Sequence, residues 1–134
     1  MNINKMTEKL QQGLVNAQSL ATSLNHQEID TAHLLSSLLQ DSEGLASRVF
    51  VKLGYPVQEI VKDLKQILNK KPSVTGSSAE PYVSADLNRA LLKADDYARA
   101  WKDDYLSVEH VLLAMLESKD YQMKQLIKKH QINE

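Results

Sequence analysis

Two stretches of this chain, Asp30 to Leu39 (DTAHLLSSLL) and Ser107 to Leu116 (SVEHVLLAML), share one pattern seventy-seven positions apart, the interval between His33 and His110. Carried outward without a gap, the offset pairs Leu10 with Leu87, Leu14 with Leu91, Ala17 with Ala94, Ala21 with Ala98 and Leu24 with Trp101. Paired positions advance by three and four, which places them on one stripe of an α-helix. Ahead of the stripe Thr7 pairs with Ser84; behind it Ile29, Leu35 and Leu38 pair with Leu106, Leu112 and Met115. What repeats is mostly what would face inward. A unit far longer than those of solenoids implies an all-α fold of two similar helical repeats packed about a pseudo-twofold axis.

Local signals place the helices. Thr7 is an N-cap for a first helix that runs to about Leu24, with Glu8 favourable beside the positive helix end. Asp30 caps a second helix, broken by Asp41 to Gly44. A third, near Leu45 to Leu53, ends where Gly54 can turn left-handed and Pro56 blocks continuation. A fourth, Val57 to Asn69, carries Ile60, Val61, Leu64 and Leu68 on one side. From Lys71 to Val83 prolines, glycine and serines leave no helical period, so this stretch reads as a connector with little to bury. Ser84 then caps a fifth helix to about Trp101, Ser107 a sixth to about Ser118, and Tyr121 to Lys129 makes a seventh. Repeat one is thus 4–70, the connector 71–83 and repeat two 84–134. The offset starts the partner of the fourth helix near Glu134, the last residue, so a truncated final helix and a longer parent protein are expected.

With 134 residues, 43% of them apolar, the chain is long enough for one domain with one shared core. A formal net charge of −1 gives no global pull toward nucleic acid or an anionic membrane, and the pairs Lys70, Lys71 and Lys128, Lys129 read as solvated helix ends. The absence of cysteine removes thiol catalysis, thiolate metal sites and disulfides. Neither a signal peptide nor a membrane-spanning run is present, so a cytoplasmic location is expected.

No phosphate loop, HExxH or GxSxG motif occurs. Asp95 and Asp96, like Asp103 and Asp104, are neighbours that point about a hundred degrees apart on a helix and read as solvated acids rather than a shared site. His33 and His110 could be imagined as a metal pair, but no carboxylate or thiolate stands at ligand spacing; each reads as a first-turn histidine that packs or hydrogen-bonds locally, and no metal is expected. Trp101 is the only tryptophan, and burying an indole removes roughly 150–250 Å² from water, so it is expected in the core. Tyr97 stands either at the core rim or at a partner contact.

The two repeated motifs, the opening NINKMTEKLQQGL, the connector with Val74, Gly76, Tyr82 and Ser84, and KDDYLSVEH together resemble the Clp N-terminal repeat domain. Within that family they are most similar to the ClpB type, which precedes the ATPase modules of AAA+ protein disaggregases. The resemblance covers the chain from about Asn4 to its end. It implies two pseudo-symmetric four-helix units that do no chemistry and help capture unfolded or aggregated polypeptide for threading by a downstream ring. ATP and magnesium would belong to those downstream modules. The isolated domain would be a monomer, its parent a hexamer, with no nucleic-acid or membrane partner. Positions that matter for substrate handling in such relatives match here as Thr7, Asp103 and Glu109, and Tyr97 joins them as a candidate contact. Capping explains Thr7 and is the favoured reading there; for Asp103, in a polar bend, and Glu109, in a first helical turn, the functional and structural readings both stand. The leucine-lined groove of ClpB-type relatives, between the fifth and sixth helices, becomes Lys93, Tyr97 and His110 here and so is more polar. The alternative is an adaptor-docking or phosphoarginine-binding domain of the ClpC type, which carries glutamate before both histidines; here Ala32 replaces the first and only Glu109 remains.

Overall fold

A computed structural model describes residues 3–73, 80–118 and 120–132. Seven α-helices span them: α1 Glu8–Ser23, α2 Thr31–Gln40, α3 Leu45–Lys52, α4 Val57–Asn69, α5 Ala85–Ala100, α6 Val108–Leu116 and α7 Tyr121–His130. Val74 and Gly76 of the connector lie outside the described residues. The expected starts hold because their caps form. Thr7 Oγ1 accepts the Leu10 amide at 3.3 Å and Ser84 Oγ the Leu87 amide at 3.0 Å. Gly54, at φ +83°, ends the turn after α3 in the left-handed region that glycine tolerates.

The pseudo-twofold relation is written into the hydrogen bonds. Met6 bridges Leu106 in parallel, and at the other pole β1 (Glu28–Ile29) pairs with β2 (Tyr82–Val83), Ile29 opposite Val83. Under the offset these are one bridge with its strands exchanged, the signature of an isologous contact. Correspondingly, the Thr7 amide donates to the Leu106 carbonyl and the Ser84 amide to the Ile29 carbonyl, both at 2.9 Å. The helix exits match too: Asn25 and Lys102 both sit at φ 59°, and His26 and Asp103 each return an amide bond of 2.9 Å to Ala21 and Ala98.

One core results. Leu10, Leu34, Ile60, Leu64, Leu87 and Val111 are fully buried, drawn from both repeats. The connector needs correcting: its end is strand β2, because Tyr82 and Ser84 donate amides to Gln27 and Ile29 of repeat one. Lys71 is likewise no solvated helix end. Its ammonium meets Asp30 at 2.7 Å with only 19% of its side chain exposed.

Candidate functional site

Each repeat builds a polar cluster where its second helix begins, from the same device. His33 Nδ1 accepts the Asp30 amide at 2.8 Å, and His110 Nδ1 accepts the Ser107 amide at 2.9 Å. An amide can only donate, so each imidazole carries its proton on Nε2. In repeat two that proton goes to Asp103, at 2.8 Å; in repeat one it goes to His26 Nδ1, at 2.9 Å. His26 and Asp103 occupy matching positions, so the two poles share a scaffold and differ in one partner. The local reading of both histidines holds, since neither ring has a nitrogen left for a metal.

The repeat-one pole is an enclosed ionic hub. Asp30 accepts from Thr31 N, Ser84 Oγ and Lys71 Nζ, while Thr31 Oγ1 donates to Asp120 at 2.8 Å. Burial would raise the Asp30 carboxyl pKa, but the Lys71 ammonium and the Thr31 and Ser84 donors together hold it below the usual value. His33 is pushed down to about 4, by burial first and then by His26 and Lys71. Asp30, Asp86 and Asp120 bring oxygens within 4.8 Å of one another, and each has its own partner: the Lys71 ammonium for Asp30, Arg89 for Asp86 and the Thr31 hydroxyl for Asp120.

The repeat-two pole is open. Trp101 is not in the core: it is 51% exposed, the C-cap of α5. The backbone turns left-handed at the next residue, so the indole lies over the outside of His110, ring centroids 5.2 Å apart, and against Tyr97 at 5.6 Å. Asp103 and Glu109 are exposed beside it. Glu109 accepts from Ser107 Oγ at 3.1 Å, and Thr7 joins the same pole through its amide bond to Leu106. The structure links the four sequence-derived candidates, Thr7, Tyr97, Asp103 and Glu109, through Trp101, His110, Ser107 and the Met6–Leu106 bridge. His110 lines no groove, being 1% exposed. Between α5 and α6, Lys93 and Tyr97 instead reach Glu117, an acid not singled out from sequence. Asp95 and Asp96 share Arg99 as surface ion pairs.

Ser107, His110 and Asp103 fall in the order of a hydrolytic relay, with Ser107 Oγ 2.9 Å from His110 Nδ1. The nitrogen that would have to take the serine proton already accepts the Ser107 amide, so the ring is a cap and not a base. Replacing Trp101 by alanine should destabilise the domain by about 2 kcal/mol, because the half of the ring that stays covered on Tyr97 and His110 is forfeited; a urea unfolding midpoint checks this.

The model of the Clp repeat (R) N-terminal domain matches residues 5–130. The chain belongs to this family. Its sequence is 46% identical over 122 residues to the chaperone protein ClpB of Bacillus anthracis, covering 89% of this chain, and 42% identical over 120 residues to that of Nitratidesulfovibrio vulgaris, covering 87%. The chain spans 14% of the length of these ClpB proteins. Among solved structures, the Hsp104 N-terminal domain from Candida albicans superposes with a TM-score of 0.84 at 22% identity, covering 96% of this chain and 83% of that one. The N-domain of ClpV from Vibrio cholerae gives 0.81 at 19% identity, covering 96% and 78%. A ClpV N-domain in complex with a VipB peptide gives 0.75 at 20% identity, covering 96% and 80%. The Clp N-domain is a non-catalytic module of AAA+ chaperones, and its all-α repeat architecture is the one described above. Among the described residues no helix is long and apolar enough to cross a membrane.

Proposed function

We propose that this chain is the leading domain of a ClpB-like ATP-dependent disaggregase, and that its open pole, Thr7, Tyr97, Asp103 and Glu109 around Trp101, holds unfolded or aggregated polypeptide before threading. The observation that carries this reading is an indole left half exposed yet fixed in place on His110 beside two exposed carboxylates. A rigid aromatic supplies contact area at little entropic cost, and the acids accept backbone amides that an unfolded chain presents. The identity to ClpB proteins supports the assignment, and the VipB peptide on a related ClpV domain supports polypeptide as the class of partner. Affinity should be weak, because the bound segment loses conformational freedom against a small surface.

In fluorescence anisotropy with labelled carboxymethylated ribonuclease A, a permanently unfolded chain, Trp101→Ala should weaken binding at least about fivefold, and Asp103→Asn with Glu109→Gln a further few-fold. Unchanged binding by both variants would remove the open pole from the proposal. The ClpC-type alternative predicts tight binding of a phosphoarginine peptide, abolished by Glu109→Ala. Ala32 is only 3% exposed and stands where a second acid would be needed, so no such binding is expected.

A further inference from the structure

A second surface, on repeat one, is left unexplained by capture at the Trp101 pole. Between α3 and α4 runs a groove of about 760 Å³, floored by Leu39 and walled by Val51, Pro56, Val57 and Val61. Val51 is 67% exposed, and under the repeat offset its counterpart is Lys128, also exposed. The fold therefore does not require an apolar side chain at this position, and a solvent-facing valine lining an apolar cleft marks a contact surface. The charges that line it are mostly positive. Lys62 and Lys65 line the groove with a single acid, Glu59, and Arg48 and Lys52 stand exposed on α3. Among the described residues none of these four cations has an acidic group within 4.0 Å, so each is free to meet an incoming carboxylate.

We propose that this groove docks an acidic amphipathic helix presented by a partner protein. Apolar side chains spaced i, i+3, i+4 and i+7 would enter the valine slot, and carboxylates on the flanks would meet Lys62, Lys65, Arg48 and Lys52. The thirteen residues of α4 give a track of about 20 Å, enough for three to four turns of a bound helix. Polar groups on the α4 wall set the register, while the aliphatic slot excludes water from only one side, so the complex is fast and salt-sensitive. This docking site is independent of the capture site and uses none of its residues.

The test uses the whole chain and a fluorescein-labelled peptide of about 18 residues, rich in glutamate with leucines on one helical face. A second peptide carries lysine in place of every glutamate. Anisotropy should show binding of the acidic peptide at least about tenfold tighter than its charge-reversed twin, weakened by added salt. Lys62→Glu with Lys65→Glu should weaken it about tenfold or more, and Val51→Asp should do the same with the lysines intact. These positions are exposed, and circular dichroism confirms that the variants fold. No binding of the acidic peptide, equal binding of both peptides, or indifference to the variants overturns the proposal. So does sedimentation showing that the chain pairs with itself and that Val51→Asp separates the pair, which would make a second copy the occupant.

Discussion

Replacing Asp30 by alanine is expected to destabilise the domain by about 3 kcal/mol, the loss typical when one partner of a buried ion pair is removed together with a helix cap. The reason lies in how many chain segments converge there. One carboxylate receives the Thr31 amide that opens α2, the Ser84 hydroxyl that opens α5 and the Lys71 ammonium that begins the connector. Its side chain is 11% exposed and that of Lys71 is 19%, so solvent screens the pair only in part. Without the carboxylate, the ammonium is left partly buried without its acid and the Ser84 hydroxyl loses its acceptor. Asp30→Asn keeps an oxygen for the two neutral donors but turns an amide NH2 toward the Lys71 ammonium, so it spares the cap and removes the ion pair, and should cost about half as much. Urea unfolding midpoints of the two variants distinguish these terms; equal losses would show that the ion pair, not the cap, carries the effect, and an Asp30→Asn variant as stable as the parent would show the reverse.

Acid should unfold the domain in two stages. His33 titrates at about 4 in the folded protein against 6.5 for an ordinary histidine, so between those values the unfolded chain binds more protons than the native one. The sign follows: stability is full above about pH 7 and falls as pH drops toward 4, by about 3 kcal/mol for a shift of this size. His26, also lowered, chiefly by burial, adds to the same slope because its Nδ1 must stay bare to accept from His33. Below pH 4 the second stage begins, as Asp30, depressed in the folded state, takes up a proton and releases Lys71. Urea midpoints measured from pH 7.5 to 4 should trace this slope, and His33→Leu should flatten it while lowering the plateau through loss of the cap. A midpoint constant over that range would refute the neutral-histidine account.

The helices were legible because their evidence is local: stripes of three and four, hydroxyl or carboxylate caps, and a glycine at a left-handed turn. The repeat offset also held at the level of single hydrogen bonds. What escaped was long-range. Asp30 reads as a cap from its neighbours, but Lys71, Ser84 and, through Thr31, Asp120 come from 41, 54 and 89 residues away along the chain. Strand β2 hid in the connector because two extended residues have no period of their own. The offset would have exposed it, since Tyr82 and Val83 match Lys5 and Met6. Trp101 was misplaced because an area argument assumes that something covers the ring, and the left-handed Lys102 carries the chain away instead. Of the candidate site, the four residues were named from sequence, but the aromatic that links them and the histidine beneath it required the three-dimensional arrangement.

The most direct test of capture at the open pole is a titration of the isotopically labelled domain with carboxymethylated ribonuclease A, followed by amide and indole chemical shifts. Shifts concentrated on the Trp101 indole and on Tyr97, Asp103 and Glu109 are expected. Shifts confined to the α3–α4 groove, or none at saturating unfolded chain, would contradict it.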